Sequence, residues 1–498
     1  MGVQQLSGSD AGKVEAGGNI DARCIVEFRP IVHNSGSGYE WRGQYGFDWF
    51  RISDCEESGH ITHYVDEHLV GIYTDQHDNR FVNGSTTDPD NKDYDNRRYF
   101  KYNANINGTT KNDYFADKLV RYYTYKEISG LRLRRRNYII PWINLAEGSL
   151  IKIKMIIKDD STKVENVKRI RVVSAGDHIK FGIDNKKVES HGKVVLNYID
   201  FDGSFIKGQE IELFIWYYKQ IPNNCDNWEI KVYAYYDDNY LNNNGFDKEY
   251  HTLAGLLNFV NNGPLTVDIW FIPVFTQTDD VCSNPSIGDG RQNDGQGANL
   301  DAQKENLRKF LAQTLVVPNF KDEEINGNSK NVFVCLNSTP YIVNNRGENG
   351  LHRKGNDLLE ELLRLFENEY GNDDAFKVFF INQVGFSGNY VGVQSSDYYK
   401  ISGHALDIPS KSAVIFQDSI NSTVSHELLH CFGLYHSFSN NNYKKNNVGN
   451  HDGFTFEKCK TSNIMDYPSS IDRISLWRWQ WEKIRKEIER RQNQHGRF

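Results

Sequence analysis

Between Asn421 and Phe438 the chain reads NSTVSHELLHCFGLYHSF, and its three histidines stand at intervals that suit a shared metal ion. His426 and His430 are four residues apart, so on a helix they share a face and can offer imidazole nitrogens to one ion. Gly433 supplies what comes next. Without a Cβ it can take φ > 0, end the helix and turn the chain so that His436 becomes a third ligand. Three neutral imidazoles leave one position of a tetrahedral zinc open, which is the catalytic arrangement. Glu427 sits one residue from the first ligand, where its carboxylate can act on a water without binding the metal. It is the candidate general base, taking a proton as that water attacks a carbonyl and passing it to the leaving amine.

A second element lies downstream. TSNIMDYP, Thr461 to Pro468, places Met465 in a tight-turn context 29 residues after His436. A lone Met is usually core filler, but this chain holds only three. Together H-E-x-x-H-x-x-G-x-x-H and this turn resemble the metzincin clan of zinc endopeptidases, over roughly residues 260–498. The GLYHSF and NIMDY wording is most similar to the pappalysin and cytophagalysin branch. The resemblance implies that Met465 forms a structural floor under the zinc and that Tyr467 is an auxiliary catalytic residue, swinging toward the metal or stabilising the oxyanion. It also implies that SGHALDI, Ser402 to Ile408, is a sheet edge above the cleft to which an extended peptide can add; an ordinary edge strand is the competing reading. His404 there reads as a surface residue rather than a fourth ligand.

These residues need elements to hold them. From Thr266 to Phe416 strands and helices interleave, as in an α/β catalytic domain. TVDIWFIPVF, VFVCL, KVFFINQV and AVIF read as strands. LDAQKENLRKFLAQTL carries Leu307, Phe310, Leu311 and Leu315 at helical spacing with Asp301 as N-cap, and DLLEELLRLFENEYG is a second helix with Gly371 as C-cap. A C-terminal helix, SLWRWQWEKIRKEIERR, offers Trp477, Trp479 and Trp481 as core anchors.

The first half has another pattern. SLIKIKMIIK, KVVLNYIDF, EIELFIWYYK and WEIKVYAYY alternate apolar and polar residues between turns, the mark of an antiparallel sandwich with one face of each sheet buried. The expected organisation is a multidomain chain. It runs from a flexible leader at 1–21 through a β-rich module at 22–146 and a β-sandwich-like module at 147–245, joined by LNNNGFDK to a metzincin-like peptidase domain at 255–498.

Composition narrows the function classes. With 498 residues and 13 % aromatic content the chain can bury several sheet-rich cores, and a net charge of −8 argues against a general nucleic-acid binder. The basic run Arg132 to Arg136 reads as a solvated strand face or domain junction rather than a binding patch. Seven cysteines without a CxxC pair form neither a zinc ribbon nor an obvious disulfide framework, although Cys431 and Cys459 flank the histidines, either bridged or as two thiols. Calcium could bind the loop IGDGRQNDGQGANLD around Asp289 and Asp294, which lacks the EF-hand pattern and reads first as a turn-rich loop. No apolar run suits a secretory signal or a membrane span.

The expectation is therefore a zinc metalloendopeptidase acting on protein or peptide, secreted or delivered outside the producing cell without a classical signal. The rival reading is a binding or delivery protein, such as a bacterial effector associated with an injection apparatus, whose N-terminal modules carry the main function.

Overall fold

The nine residues Leu150–Lys158 show why the first half folds as sheet. Ile151, Ile153, Met155 and Ile157 point to one side and are buried, whereas Lys152 and Lys154 point to the other and pair with Glu212 and Glu210 of the neighbouring strand. A period of two puts the two sets on opposite faces, and on the lysine face only Ile156 among the described residues is buried.

In the computed structural model, the described residues are 19–31 (save 22), 41–48, 69–71, 73–74, 80–81, 100–101, 125–129, 137–158, 167–174, 178–182, 197–221 (save 204, 206–207 and 220), 228–236, 251–276 (save 261), 300–321, 332–388 (save 346 and 355), 398–437 (save 418 and 421), 455–456, 463–467 and 473–495. The Arg132 to Arg136 run, the Leu241 to Lys248 spacer, the Asp289/Asp294 loop and Cys459 lie outside them. The protein is β-rich, with several sheets, and divides into two compact units.

The first unit comprises residues 1–263, 454–462 and 468–478. Its strands include β1 (Ile25–Pro30), β2 (Gly46–Asp48), β3 (Trp142–Asn144), β4 (Leu150–Lys158), β5 (Val167–Ser174), β6 (Ile179–Gly182), β7 (Tyr198–Asp202), β8 (Glu210–Tyr217), β9 (Trp228–Tyr236) and β10 (His251–Phe259). They form two sheets, ordered β7-β5-β9-β10-β3-β2 and β6-β8-β4-β1. Val26, Phe28, Phe47, Ile143, Ile153, Leu213, Val232 and Leu257 belong to one buried cluster spanning both sheets.

The sandwich is thus larger than the 147–245 module expected. β1, β2 and β3 come from the stretch read as a separate 22–146 module, and β10 from beyond the spacer. The physical reason is that the alternating strands of 150–236 leave open edges: β1 covers that of β4 and β10 that of β9, and β3 and β2 then add to β10. The boundary expected near residue 255 falls between Gly263 and Pro264.

The second unit comprises residues 264–453, 463–467 and 479–498. Its main sheet contains β11 (Leu265–Thr276), β12 (Val316–Phe320), β13 (Val334–Leu336), β14 (Phe376–Ile381), β15 (Gly403–Ala405) and β16 (Ser412–Ile415). The order is β12-β11-β14-β16-β15, with β13 also pairing β11. All pairs are parallel except the edge pair β15/β16.

Helices cover both faces. On one, helix α2 (Asp357–Tyr370) packs Leu358, Leu359, Leu362 and Phe366 against Ile272, Val274, Phe379 and Val414. On the other lie α1 (Leu300–Ala312), whose Lys304 stands over the rings of Phe271 and Phe320, and α3 (Thr423–Cys431), after which Phe432 meets Phe376 with ring centroids 4.7 Å apart.

Local differences from the sequence reading are instructive. Asp301 lies inside the first turn of α1, where its charge suits the helix dipole, rather than at the cap. Leu315 falls after the helix end at φ 54°, its side chain still buried. Gly371 ends α2 as expected, at φ 85°, its N–H donating to the Glu367 carbonyl. The C-terminal helix α4 spans Arg478–His495. Trp477, Trp479 and Trp481 are all buried, Trp477 in the first unit and the other two in the second.

Candidate metal centre

Helix α3 is buried along its whole length and carries His426, Glu427 and His430. Its end follows from Gly433. At φ 90° this residue lets its own N–H reach the His430 carbonyl (2.8 Å) and lets the Leu434 N–H reach the Leu429 carbonyl (3.0 Å), a Schellman ending. The chain then reverses and delivers His436. The Nε2 atoms of His430 and His426 each lie 3.2 Å from Nε2 of His436. Among the described residues, this is the one group of three or more His, Cys, Asp or Glu side chains whose ligand atoms converge.

The hydrogen bonds on the far side of the rings fix their protonation. Nδ1 of His426 lies 2.9 Å from the Ile464 carbonyl and Nδ1 of His430 lies 2.7 Å from the Leu434 carbonyl. A carbonyl only accepts, so both Nδ1 atoms carry a proton, and in the neutral form of each ring Nε2 is the atom left to offer a lone pair beside His436. Three such nitrogens cannot satisfy one another with the single proton that His436 could add. A cation accepting three lone pairs does so. Tetrahedral coordination at the usual zinc–nitrogen length sets the nitrogens about 3.3–3.4 Å apart, and the 3.2 Å separations here are close to that. The donor set therefore fits a divalent metal of this kind.

The turn around Met465 adjoins the same helix. Met465 is fully buried, and its carbonyl accepts the Ser437 N–H at 3.0 Å, just after the third histidine. Asn463 shapes the turn: its Oδ1 accepts the Met465 N–H at 2.9 Å, and its Nδ2 donates to Gln480 of α4 at 2.7 Å. Tyr467 stands edge-on to His436, ring centroids 4.8 Å apart. The structure thus brings His426, His430, His436, Met465 and Tyr467 into one neighbourhood. Asn463 and Gln480 were missed by sequence reasoning, although Asn two residues before the turn residue is a recognisable turn signal.

Glu427 is buried, and burial pushes its carboxyl up to about 8, opposed by a hydrogen bond from the Ala405 N–H and by the nearby Arg353 charge. The strand that meets it is β15. An added Cβ on Gly403 would stand 2.7 Å from Glu427 Cγ, so only glycine permits this approach. The next residue, His404, faces the other way in the strand alternation. It is half-buried, taking hydrogen bonds from Arg353 (2.8 Å) and lying 3.2 Å from Asn356 Oδ1. Burial and the Arg353 charge hold its imidazole down at about 3. His404 is thus neither a fourth member of the histidine group nor a plain surface residue. Arg353 is in turn fixed by a 2.7 Å bond to Ser387.

Cys431 is a free, buried thiol beside Ser410 Oγ at 3.2 Å, so the bridge to Cys459 is not formed; Cys335 is disulfide-bonded. No helix among the described residues is long and apolar enough to cross a membrane.

No family model matches the chain. No curated protein matches it either. Among solved structures, one reported for glycolipid glycan hydrolysis, a family 123 glycoside hydrolase from Clostridium perfringens, matches at 12 % identity with a TM-score of 0.12. That match covers 58 % of this chain and 50 % of the other, so the chain spans about half that structure's length. A TM-score so low carries no argument about fold or activity, and the functional reading rests on the centre itself.

Proposed function

We propose that this protein is a zinc-dependent metalloendopeptidase, with His426, His430 and His436 as ligands and Glu427 as general base. The observation that carries the reading is the convergence of three Nε2 atoms, two of them on rings whose Nδ1 is held by a carbonyl, beside the buried Glu427 carboxyl on the same helix. A bound zinc would supply Lewis acidity, polarising the scissile carbonyl and making water acidic enough to attack at neutral pH. Glu427 takes the proton from the attacking water and returns it to the leaving nitrogen. Burial favours the protonated carboxyl once it forms, which suits a group that must accept a proton and then release it. Tyr467, whose ring lies beside His436, would donate to the developing oxyanion.

The α/β unit would then be the catalytic domain, and β15 its substrate edge. Ser402 accepts from Phe416 and Leu406 donates to Ser412, so the main-chain groups of Gly403 and Ala405 alternate away from β16. The Ala405 N–H meets Glu427, which puts the edge and the base at one place. An extended peptide pairing there would present its carbonyl to the centre. The substrate class is thus an unfolded or extended polypeptide segment.

The test is metal analysis joined to proteolysis. After dialysis against zinc the full chain should hold one ion and cleave an unstructured protein. Glu427→Gln should retain the ion and lose cleavage. A wild-type chain that holds zinc yet leaves every unstructured substrate intact, or a Glu427→Gln chain of full activity, refutes the proposal.

A further inference from the structure

The α/β unit also holds a four-stranded sheet, built from Ile342–Asn345, Glu348–His352, Gly385–Ser387 and Tyr399–Ile401 and paired in that order. Leu351, Gly385 and Ile401 stand side by side in it and share one face. That face packs into the core of the unit, and at Gly385 an added Cβ would lie 2.4 Å from the Phe416 ring. Two residues further along, where side chains return to this face, the row is Ser387 with Tyr399 opposite and Arg353 alongside. Here the face leaves the core and reaches β15, because Arg353 bonds His404.

Arg353 is held in place but not neutralised. Its Nε donates to Ser387 Oγ at 2.7 Å and its Nη1 to Nδ1 of His404 at 3.0 Å. The other nitrogen of that ring lies 3.2 Å from Asn356 Oδ1. These contacts fix the plane of the guanidinium without offering it a negative charge. Nη2 makes no bond among the described residues and is not sealed from solvent. Arg171, Arg364, Arg490 and Arg491 each hold a carboxylate at 2.6–2.7 Å, whereas Arg353 holds none among the described residues. Glu427 feels its charge from beyond ion-pair distance. A half-buried charge is unfavourable when no opposite charge adjoins it, and an uncharged donor could make the same two bonds.

Taking the endopeptidase reading as given, we propose that Arg353 is a specificity residue that binds a carboxylate of the peptide pairing with β15. Gly403 and Ala405 face Glu427, and His404 between them faces Arg353. In a strand added to β15, the residue opposite His404 puts its Cβ about 4.5–5.5 Å from that of His404 and on the same side. An Asp or Glu at that position brings its carboxylate to Nη2, while the residues before and after it point toward Glu427. The acid therefore adjoins the residues at the scissile bond. A peptide that ends there offers its C-terminal carboxylate to the same nitrogen. Approach is open, since Ser402 before Gly403 is exposed and Tyr399 is 49 % exposed.

Two readouts test it: fluorescence anisotropy of labelled peptides on the full-length Glu427→Gln chain, and kcat/KM on the wild-type chain. One peptide set, with amidated ends, carries a single Glu or a single Gln at each position in turn. A further pair has no acidic side chain and either a free or an amidated C-terminus. At one position Glu should bind about tenfold or more tightly than Gln, the share of a charge-assisted contact, and kcat/KM should follow the same ratio. The same preference for the free C-terminus instead would assign the terminal carboxylate. Arg353→Gln should bring the ratio to about one. Because the ratio is internal to each variant, a loss of stability does not mimic that result. Arg353→Lys keeps the charge without the planar fork and should lower the ratio severalfold, which decides the matter if Arg353→Gln does not fold. Acidic and neutral peptides bound alike, or a preference unchanged in these variants, overturns the proposal. A preference in binding with no cleavage by the wild-type chain would refute the endopeptidase reading and leave the carboxylate site standing.

Discussion

Replacing Gly403 by Ala puts a methyl carbon 2.7 Å from Glu427 Cγ and 3.0 Å from both Glu427 Oε1 and Thr423 Cγ2. Ordinary contact begins near 3.4 Å, so the carboxylate side chain must retreat by about 0.7 Å, or the strand must. Edge strand β15 has one neighbour in its sheet and could shift outward. That escape does not spare the base, because Ala405 of the same strand bonds the Glu427 carboxylate and would pull it along. A displacement approaching 1 Å at a catalytic group costs on the order of 10²-fold in rate, and overpacking costs about 1–3 kcal/mol of stability. The assay is kcat/KM on a fluorogenic unstructured substrate, with zinc content and melting temperature measured on the same preparation. The expected result is a large loss of kcat/KM with zinc retained, since the three atoms nearest to Gly403's added carbon belong to Glu427 and Thr423 and none to a histidine. Unchanged kcat/KM in a folded, zinc-loaded variant would refute the claim that the edge strand sets the position of Glu427.

Other outcomes follow from the same geometry. Glu427→Gln should keep metal and fold while losing proteolysis by roughly two to four orders of magnitude, the share of a positioned acid–base group; retained turnover removes its role. His436→Ala should leave two imidazoles and lower zinc affinity sharply in competition with a chromogenic chelator, and affinity equal to wild type would strike His436 from the ligand set. Tyr467→Phe should reduce kcat/KM more mildly than Glu427→Gln does, whereas no kinetic effect would assign Tyr467 to packing alone. The His404 imidazole, depressed from 6.5 to about 3, should make the fold acid-labile. As pH falls through that window the unfolded chain takes up a proton the folded chain refuses, so stability present above 6.5 is lost toward 3. The melting temperature should drop in that range, and His404→Gln should flatten the slope; parallel curves would sink the argument.

What could be read from the sequence was what depends on near neighbours along it. The i, i+4 histidines, the glycine that ends their helix and the alternation of Leu150–Lys158 are all local patterns, and the structure reproduces them. Pairings between distant segments were not legible. β1, β2 and β3 join the sandwich through partners more than a hundred residues away in two of the three cases, β1 with β4 and β3 with β10. Arg353 and His404 are 51 residues apart, and nothing in either local sequence marks the contact. Nothing in the local sequence distinguishes Gly403; its meaning comes from Glu427, 24 residues later on another element. Asp301 failed for a smaller reason, because a helix that starts one residue earlier turns a cap into a first-turn residue.

The two carbonyls that hold the His426 and His430 rings have a consequence for metal identity. They fix the tautomer and the aim of each ring, so orientation is set by the polypeptide and any divalent ion that accepts three imidazole nitrogens meets the same triad. Neutral imidazoles bind first-row ions in the Irving–Williams order, in which copper outranks zinc. Nothing in three nitrogens reverses that order. On the proposed reading, supply during synthesis and folding would decide which ion the triad takes. A chain loaded with copper in the test tube would carry the right residues around the wrong Lewis acid.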